Sequence, residues 1–429
     1  MNHVLIISYY FPPLGMGGTQ RMAGFARHLP AYGWQPTVLT VKEVYYYARD
    51  VSLLKGLEHC HTVRTESLDP LRLFQKMAAI RRQRQSQFAA QTAPQAGLLK
   101  RLALALSNFI FVPDNKLLWL PFSWRTANRL LAQENHRVLL SSGPPHSVHL
   151  LAYVLKKRYN VPWVADLRDG WAGGDFQPEP TWLHRLINRK MQAHILNGAD
   201  RIVVVSNGLA AQLAQERLNK QKIVVITNGF EEADFQHRPA ADKCFDIVHA
   251  GTIGNFVQPE PFLQAFRDFL HETGLEPADI RLHFIGSDLT GRFLKLVDRF
   301  NLNPFVNYEG YVEHERAVRL LGQADLLLYL VSEGPFSGFI PGKTFEYLAA
   351  RKPVLAVSPD IEGLKILQAH TAVRWLSPRD TDGIGLALKA FYVEFKTGKR
   401  HSMPPKNSIL SFSRKTLTGR LVKLFEEIV

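Results

Sequence analysis

A proline near the start of a predicted helix is followed closely by a lysine and a glutamate. Pro341 suits the first turn of a helix, where its missing amide hydrogen has no partner to lose. We therefore expect free amides at Gly342, Lys343 and Thr344 that can hold a diphosphate. Lys343 adds positive charge, and Glu346, one turn later, can accept both hydroxyls of a ribose. A capped core helix with a surface lysine explains the proline but not this cluster.

A glycine pair follows the first apolar run and opens the next predicted helix. Gly17 and Gly18 carry no side chains, so the backbone can approach a ligand closely. The amides of a helix N-terminus suit a phosphate or a sugar hydroxyl. The pair is not part of a G-x-G-x-x-G fingerprint with its acidic partner, which disfavours a dinucleotide enzyme. A plain strand-to-helix turn is the structural alternative.

Two further loops carry polar side chains at the ends of predicted strands, where open α/β sheets bind ligands. His146 can donate hydrogen bonds to substrate hydroxyls or carry a proton, and we expect it to project from its loop. His149 could pair with it on a metal, but no third ligand is evident, so we expect no metal. Asp166, Arg168 and Asp169 either shape an acceptor pocket or form a buried ion-pair network that holds their loop.

Short apolar, β-branched runs alternate along the chain with helical patterns. Several runs are almost wholly apolar, which is typical of parallel strands covered on both faces. The alternation predicts an α/β fold with doubly wound parallel sheets. The predicted strands are 4–8, 37–40, 138–142, 163–166, 201–206, 223–227, 246–251, 281–285, 325–331 and 354–357.

A polar stretch with a proline after Thr227 indicates a boundary between two Rossmann-like domains. We predict an N-terminal, acceptor-side domain at 1–228 and a C-terminal, donor-binding domain at 229–408. Residues 409–429 have a helical apolar pattern, and we expect this helix to pack back on the first domain.

The formal net charge of +14 predicts an affinity for polyanions. Neither zinc-finger spacing nor a basic segment with interleaved aromatics is present, so nucleic acid is the least favoured partner. The chain between Pro70 and Pro113 contains seven Lys or Arg residues and no acid. The basic, apolar segment 71–106 can contact an anionic membrane or form a solvated helix face.

The two cysteines lie far apart and the N-terminus lacks the pattern of a signal peptide. We therefore expect a cytoplasmic protein, in contact with the inner face of the plasma membrane if segment 71–106 binds lipid.

Taken in order, these motifs resemble those of GT-B-fold glycosyltransferases of the family 4-like group. The motifs are Phe11-Pro12-Pro13 with Gly17-Gly18, Gly143-Pro144-Pro145-His146, Asp166-Leu167-Arg168-Asp169, Asn228-Gly229-Phe230 and Lys343-Thr344-Phe345-Glu346-Tyr347-Leu348. The resemblance covers nearly the whole chain and implies two Rossmann-like domains facing a central cleft. It implies retaining transfer from a nucleoside-diphosphate sugar, without a metal or other cofactor, to a glycan or lipid-linked acceptor of the cell surface.

The resemblance also implies roles for individual residues. Gly17 and Gly18 would line the donor site, His146 would lie near the position of the active-site histidine, and Glu346 would bind the ribose. The predicted catalytic residues are His146, Lys343 and Glu346. The predicted donor-binding residues are Gly17, Gly18, Gly251, Thr252, Tyr311, Gly342, Lys343, Thr344 and Glu346. The predicted acceptor-side residues are Asp166, Arg168 and Asp169.

The sequence departs from the family pattern at two places. Gly338 stands where the family has a glutamate that contacts the donor sugar, and Glu333 is out of register with it. The loop at 251–256 lacks the Arg and Lys residues that neutralise the diphosphate in the family. A nucleotide-sugar epimerase on the same fold and a non-catalytic scaffold are therefore alternatives.

Overall fold

The computed structural model describes residues 1–429 except 16, 43, 45–47, 69–108, 174–178, 236–243, 255–256, 335–337 and 400. The basic segment 71–106 lies outside the described residues. The chain divides into two compact units, one formed by residues 1–227 with 418–429 and the other by residues 228–417.

The first unit is built on a parallel sheet whose strand order, among the described residues, is β3-β2-β1-β4-β5-β6-β7. Its strands are β1 (Asn2–Ser8), β2 (Trp34–Val41), β3 (His61–Thr65), β4 (His136–Gly143), β5 (Trp163–Leu167), β6 (Arg201–Val204) and β7 (Ile223–Val225). Its helices are α1 (Gly17–His28), α2 (Leu120–Gln133), α3 (Ser147–Tyr159), α4 (Trp182–Asn197) and α5 (Asn207–Ala214).

The second unit has a parallel sheet with the described order β10-β9-β8-β11-β12-β13. Its strands are β8 (Phe245–Ala250), β9 (Ile280–Ile285), β10 (Val306–Gly310), β11 (Leu326–Leu330), β12 (Val354–Val357) and β13 (Val373–Leu376). Its helices are α6 (Glu260–Thr273), α7 (Phe293–Arg299), α8 (His314–Gln323), α9 (Lys343–Ala350), α10 (Glu362–His370) and α11 (Thr381–Lys396). The last helix, α12 (Arg414–Glu426), begins in the second unit, and its residues from Thr418 onward belong to the first.

The central strands are the apolar runs of the sequence. All five residues of β5 and of β11 are buried, as expected for strands covered on both faces. The predicted α/β class with doubly wound parallel sheets is confirmed. Strands β3, β10 and β13 were not predicted, because these lateral strands are mostly half-buried and carry polar residues that interrupt the apolar pattern.

Strand order reverses direction once in each sheet. In the first unit the chain moves outward from β1 to β3 on one side and from β4 to β7 on the other. In the second unit the same reversal lies between β8 and β11. Ligands of open α/β sheets bind beyond the carboxyl ends of the strands at such a point. The loops after β1, β4, β8 and β11 are therefore the places to look for a site.

In the described part of the chain, no helix has the length and apolar character needed to cross a membrane.

Candidate functional site

Arg168, just after β5, joins two loops of the first unit. Its guanidinium donates hydrogen bonds to Gly18 O and Pro144 O, and its Nε donates to Gly143 O over 3.3 Å. A Cβ on Gly18 would lie only 2.9 Å from Arg168 Nη1, so a side chain there would displace the guanidinium. Arg168 therefore fixes the glycine-rich turn against the loop after β4.

Asp166, at the end of β5, forms a buried ion pair with Arg21 of α1. The N–O distance is 2.7 Å, and the two side chains are 0% and 4% exposed. Ser142 Oγ also donates to this carboxylate over 2.7 Å, and Arg21 donates to Ile226 O over 2.9 Å. Asp166 has no surface with which to contact an acceptor. Asp166 therefore belongs to a buried ion-pair network, which was the alternative interpretation, and not to an acceptor pocket.

His146 is fully buried at the start of α3. Its ring stacks on that of Trp171, with centroids 5.1 Å apart and planes inclined by 2°. Burial, with the charge of Arg168 and the nearby His149, holds the pKa of His146 well below its usual value, so the ring is neutral. The expectation that His146 projects from its loop is wrong, because its ring is fully buried in this structure.

His149 belongs to the same buried group. Its Nδ1 lies 2.8 Å from Ser141 Oγ, which in turn accepts a hydrogen bond from Trp163 Nε1 over 2.8 Å. Burial lowers the pKa of His149 to about 3. A Cβ on Gly143 would lie 2.7 Å from His149 Nε2 and 3.0 Å from His146 Nδ1, so glycine is required there.

Two other predicted residues of the first unit lie near these groups. Gly17 is exposed and begins α1, and a Cβ built on it would meet nothing within 4 Å. Asp169 follows Arg168 and is partly exposed, and burial raises the pKa of its carboxyl group. Across the described residues, no group of three or more His, Cys, Asp and Glu side chains could hold a metal ion.

In the second unit, Lys343 is the first residue of α9 and is largely buried. Its Nζ donates a hydrogen bond to Leu330 O at the end of β11 over 2.9 Å and lies 5.3 Å from the centroid of the Tyr329 ring. Burial lowers the pKa of Lys343 to about 7. The predicted cation is therefore present, but its charge depends on pH near neutrality.

Gly251 directly follows β8 and has a φ of 139°, which favours glycine. A Cβ on it would lie 3.6 Å from Lys343 Nζ. The structure therefore brings together two residues that are 92 positions apart (343 − 251) in the sequence. The loop after β8 has no cation of its own from Gly251 to Phe256, and Lys343 supplies one beside it.

Of the three amides assigned to the start of α9, one is not free. The amide of Thr344 donates to Pro341 O over 3.0 Å, so this part of the prediction is wrong. The Thr344 side chain is also fully buried, with Oγ1 3.0 Å from the Tyr329 hydroxyl. The amides of Gly342 and Lys343 remain as the groups that a helix N-terminus offers to an anion.

Glu346 lies one turn into α9, with 17% of its side chain exposed. Its Oε1 is 3.6 Å from Nδ1 of His314, whose Nε2 lies 2.8 Å from an oxygen of Asp234. His314 and Asp234 were not predicted, because they lie far from the motif in sequence. Glu346 is the accessible carboxylate of α9 and is positioned by a histidine that a second carboxylate holds.

The other predicted donor residues lie at strand ends of the same sheet. Thr252 follows Gly251, and Tyr311 follows β10; both are partly buried. Gly338, which replaces the family's glutamate, is buried. Glu333 does not take the place of that glutamate, because it forms an ion pair of 2.5 Å with Arg379 at the surface.

One residue of this site was not predicted. His249, in β8, is fully buried, and its Nδ1 lies 2.9 Å from Leu328 O. Its Nε2 has no hydrogen-bond partner among the described residues and would lie 3.8 Å from a Cβ on Gly251. A single histidine within an apolar run resembles a core residue, so its sequence context gives no signal of this position.

The chain is similar to known glycosyltransferases. Residues 16–229 match the family model of the glycosyl transferase 4-like domain. No curated protein sequence matches the chain.

Solved structures with the same fold align over the full length. Sucrose-phosphate synthase from Thermosynechococcus elongatus shares 16% identity, with a TM-score of 0.67 over 100% of this chain and 99% of that one. HepE from Anabaena, in complex with UDP and glucose, shares 12% identity, with a TM-score of 0.63 over 100% of both chains. TarM from S. aureus, in complex with fondaparinux, α-GlcNAc-glycerol and UDP, shares 10% identity, with a TM-score of 0.62 over 99% of this chain and 100% of that one.

The two parallel-sheet units, the ordered motifs and the family match agree with one another, and the chain belongs to the GT-B-fold glycosyltransferases of the family 4-like group.

Proposed function

We propose that the chain transfers a sugar from a nucleoside-diphosphate sugar to a glycan or lipid-linked acceptor of the cell surface, with retention of the anomeric configuration. The observation that carries the proposal is the convergence of Gly251, Lys343 and the N-terminus of α9 at the carboxyl end of β8. Glu346 lies one helical turn away, about 5 Å along the axis. An anion site with a carboxylate at this spacing suits a diphosphate joined to a ribose.

The chemistry follows from where charge develops. The bond between the anomeric carbon and the diphosphate oxygen breaks, and negative charge grows on the leaving diphosphate. Lys343 and the first amides of α9 stabilise that charge in a largely buried site, where preorganised groups are most effective. The acceptor hydroxyl attacks the same face of the oxocarbenium-like sugar, and its proton passes to the departing phosphate oxygen.

His146 does not serve as the base of this step, and we expect it to help position donor or acceptor hydroxyls. It stacks on Trp171 beside the loop that Arg168 holds, and so contributes to the shape of the first unit's loops. Metal is not used in the proposed step, because Lys343 supplies the positive charge at the diphosphate.

The neighbours guide the choice of donor. The HepE structures hold UDP, UDP with glucose, or UDP-glucose, and the TarM complex holds UDP. These ligands belong to those proteins, but they favour UDP-sugars as the first donors to test here.

The test is thermal stabilisation by UDP-, GDP-, ADP- and dTDP-sugars, with Glu346→Gln as the site variant. Glu333→Gln is the matched control, since Glu333 is a surface carboxylate paired with Arg379. A ligand at a hundred times its Kd adds about 2.7 kcal/mol to the free energy of unfolding. We expect one sugar nucleotide to stabilise the wild type and the control but not Glu346→Gln. Equal stabilisation of all three proteins would contradict the donor site.

A non-catalytic scaffold is the second candidate, and Gly338 in place of the family's glutamate favours it. Donor hydrolysis separates the two, since water can replace the acceptor hydroxyl in an active transferase. If the wild type releases the nucleoside diphosphate and Lys343→Met does not, the protein is an enzyme. The anomer of the free sugar that appears first by NMR then reports whether the configuration is retained. Stable binding without turnover, with water or with a lipid-linked acceptor, supports the scaffold.

We also propose peripheral contact with anionic membrane on the cytoplasmic side, through segment 71–106. Its basic composition supports this, as do the apolar side chains of Phe109 and Ile110 a few residues after it, which are 53% and 59% exposed. Co-sedimentation with vesicles is expected for anionic phospholipid at low salt and not for neutral phospholipid. Equal binding to both would contradict the electrostatic part of the proposal.

A further inference from the structure

The hydrogen bond made by His249 fixes which ring nitrogen carries the proton. Nδ1 lies 2.9 Å from Leu328 O, and a carbonyl oxygen can only accept. Nδ1 therefore holds the proton of the neutral ring, and Nε2 presents a bare lone pair. This Nε2 is completely buried and has no hydrogen-bond partner in the described part of the chain.

The lone pair faces the place where the diphosphate is proposed to bind. A Cβ on Gly251 would lie 3.8 Å from His249 Nε2 and 3.6 Å from Lys343 Nζ, so both nitrogens border the same glycine. The N-terminus of α9 begins at Lys343. A helix N-terminus, a buried ammonium group and an unpartnered imidazole nitrogen therefore meet at Gly251, and the first two attract an anion.

A phosphate oxygen cannot rest against this lone pair, because both groups are acceptors. Contact between them requires a proton on Nε2, which turns the ring into a cation that donates from both nitrogens. We propose that His249 is a donor-binding residue that takes up a proton when the diphosphate of a nucleotide sugar binds beside Gly251. This inference rests on the proposed function, since it assumes that a diphosphate occupies this place.

The groups around His249 agree with this direction of proton movement. Burial, together with the charge of Lys343, which it faces from α9, holds the pKa of His249 well below its usual value. Tyr347, also in α9, donates to the same Leu328 O, and burial raises its pKa and that of Tyr329 in β11, so both stay neutral. Phe284 covers the ring from β9, with centroids 5.0 Å apart. Glu346, the carboxylate of α9, lies one turn beyond Lys343.

The empty site therefore carries little positive charge above neutral pH, and an arriving diphosphate raises the pKa of both His249 and Lys343. Binding that takes up protons weakens as pH rises, by up to about tenfold per pH unit for each proton taken up.

The test is titration calorimetry at pH 8 in HEPES and in Tris, with the nucleotide sugar that stabilises the wild type. Its diphosphate has no group that titrates near neutral pH, so the difference in heat between the buffers counts protons taken up by the protein. We expect His249→Gln, which keeps a polar side chain, to bind with uptake lower by about one proton. The control, His271→Gln, alters an exposed histidine of α6 and should match the wild type.

Lys343→Met gives a second reading that does not depend on the folding of the His249 variant. Its remaining uptake should stay above zero, and its Kd should still rise with pH. Uptake equal in wild type and His249→Gln, or absent in Lys343→Met, would overturn the inference while leaving the donor site intact. Failure of every sugar nucleotide to bind the wild type would overturn the proposed function, and the inference with it.

Discussion

Both units place buried polar groups beyond the carboxyl ends of their central strands, but they satisfy these groups differently. In the first unit, Asp166 pairs with Arg21 and several carbonyls accept from Arg168, while ring nitrogens of His146 and His149 lack partners among the described residues. In the second unit, Lys343 is held by one carbonyl and His249 leaves a nitrogen without a partner among the described residues. The ion pair of the first unit is a framework, whereas in the second unit the unpartnered nitrogen and the ammonium group border the same glycine and can together meet an anion.

The framework role of Asp166 gives the largest expected effect on stability. Asp166→Ala leaves Arg21 as a buried charge without its carboxylate, and breaking such a pair costs about 3–5 kcal/mol. Denaturant unfolding of the variant measures this loss. Glu333→Ala, which removes an exposed ion pair with Arg379, should change stability by less than about 1 kcal/mol. Similar losses in the two variants would mean that the Asp166 network is no framework.

The charge of Lys343 should make stability depend on pH. Its pKa falls from 10.5 to about 7 on folding, so the unfolded chain binds the extra proton between these values. For this group, the free energy of unfolding must then rise with pH from about 7 to 10. The equilibrium constant of unfolding falls by up to about tenfold per pH unit over this range. The difference between wild type and Lys343→Met isolates the group. A difference that is flat or falls over this range would contradict a depressed pKa.

Removal of the Lys343 charge should weaken binding of the sugar nucleotide without unfolding the protein. A charged hydrogen bond is worth about 1.5–3 kcal/mol, so Lys343→Met should raise the Kd roughly ten- to a hundredfold. Calorimetry measures the Kd. Lys365→Met is the control, because Lys365 is exposed and pairs with Asp360. An unchanged Kd in Lys343→Met would show that the diphosphate binds elsewhere.

The two neighbouring glycines of the first unit should respond differently to alanine. A Cβ on Gly18 would press on Arg168 at 2.9 Å, whereas a Cβ on Gly17 would meet nothing within 4 Å. Overpacking of this kind costs about 1–3 kcal/mol, so Gly18→Ala should be destabilised and Gly17→Ala should not. Thermal unfolding compares the two. Equal stability would show that Arg168 moves away without loss.

The sequence predicts the central strands and the site motif, but not how individual side chains turn. Apolar runs identify β5 and β11 because burial on both faces leaves no room for polar residues. The lateral strand β10 is missed because its residues are half-buried. Lys343 and Glu346 are found from their spacing along one helix.

What the sequence cannot give is contact between distant segments. The burial of His146 depends on the packing of Trp171, 25 residues later (171 − 146). His249 lies in an apolar run, and only the tertiary structure shows that it lies close to Lys343 and Gly251. His314, which positions Glu346, belongs to another helix. Each of these relations is set by the tertiary fold rather than by a local pattern.

The most direct test of the central claim is an experimental structure of the protein with the nucleotide sugar that stabilises it. We expect diphosphate density beside Gly251, within hydrogen-bonding reach of Lys343 Nζ and His249 Nε2, with the ribose hydroxyls on Glu346. Diphosphate density at another position, or a ribose turned away from Glu346, would contradict it.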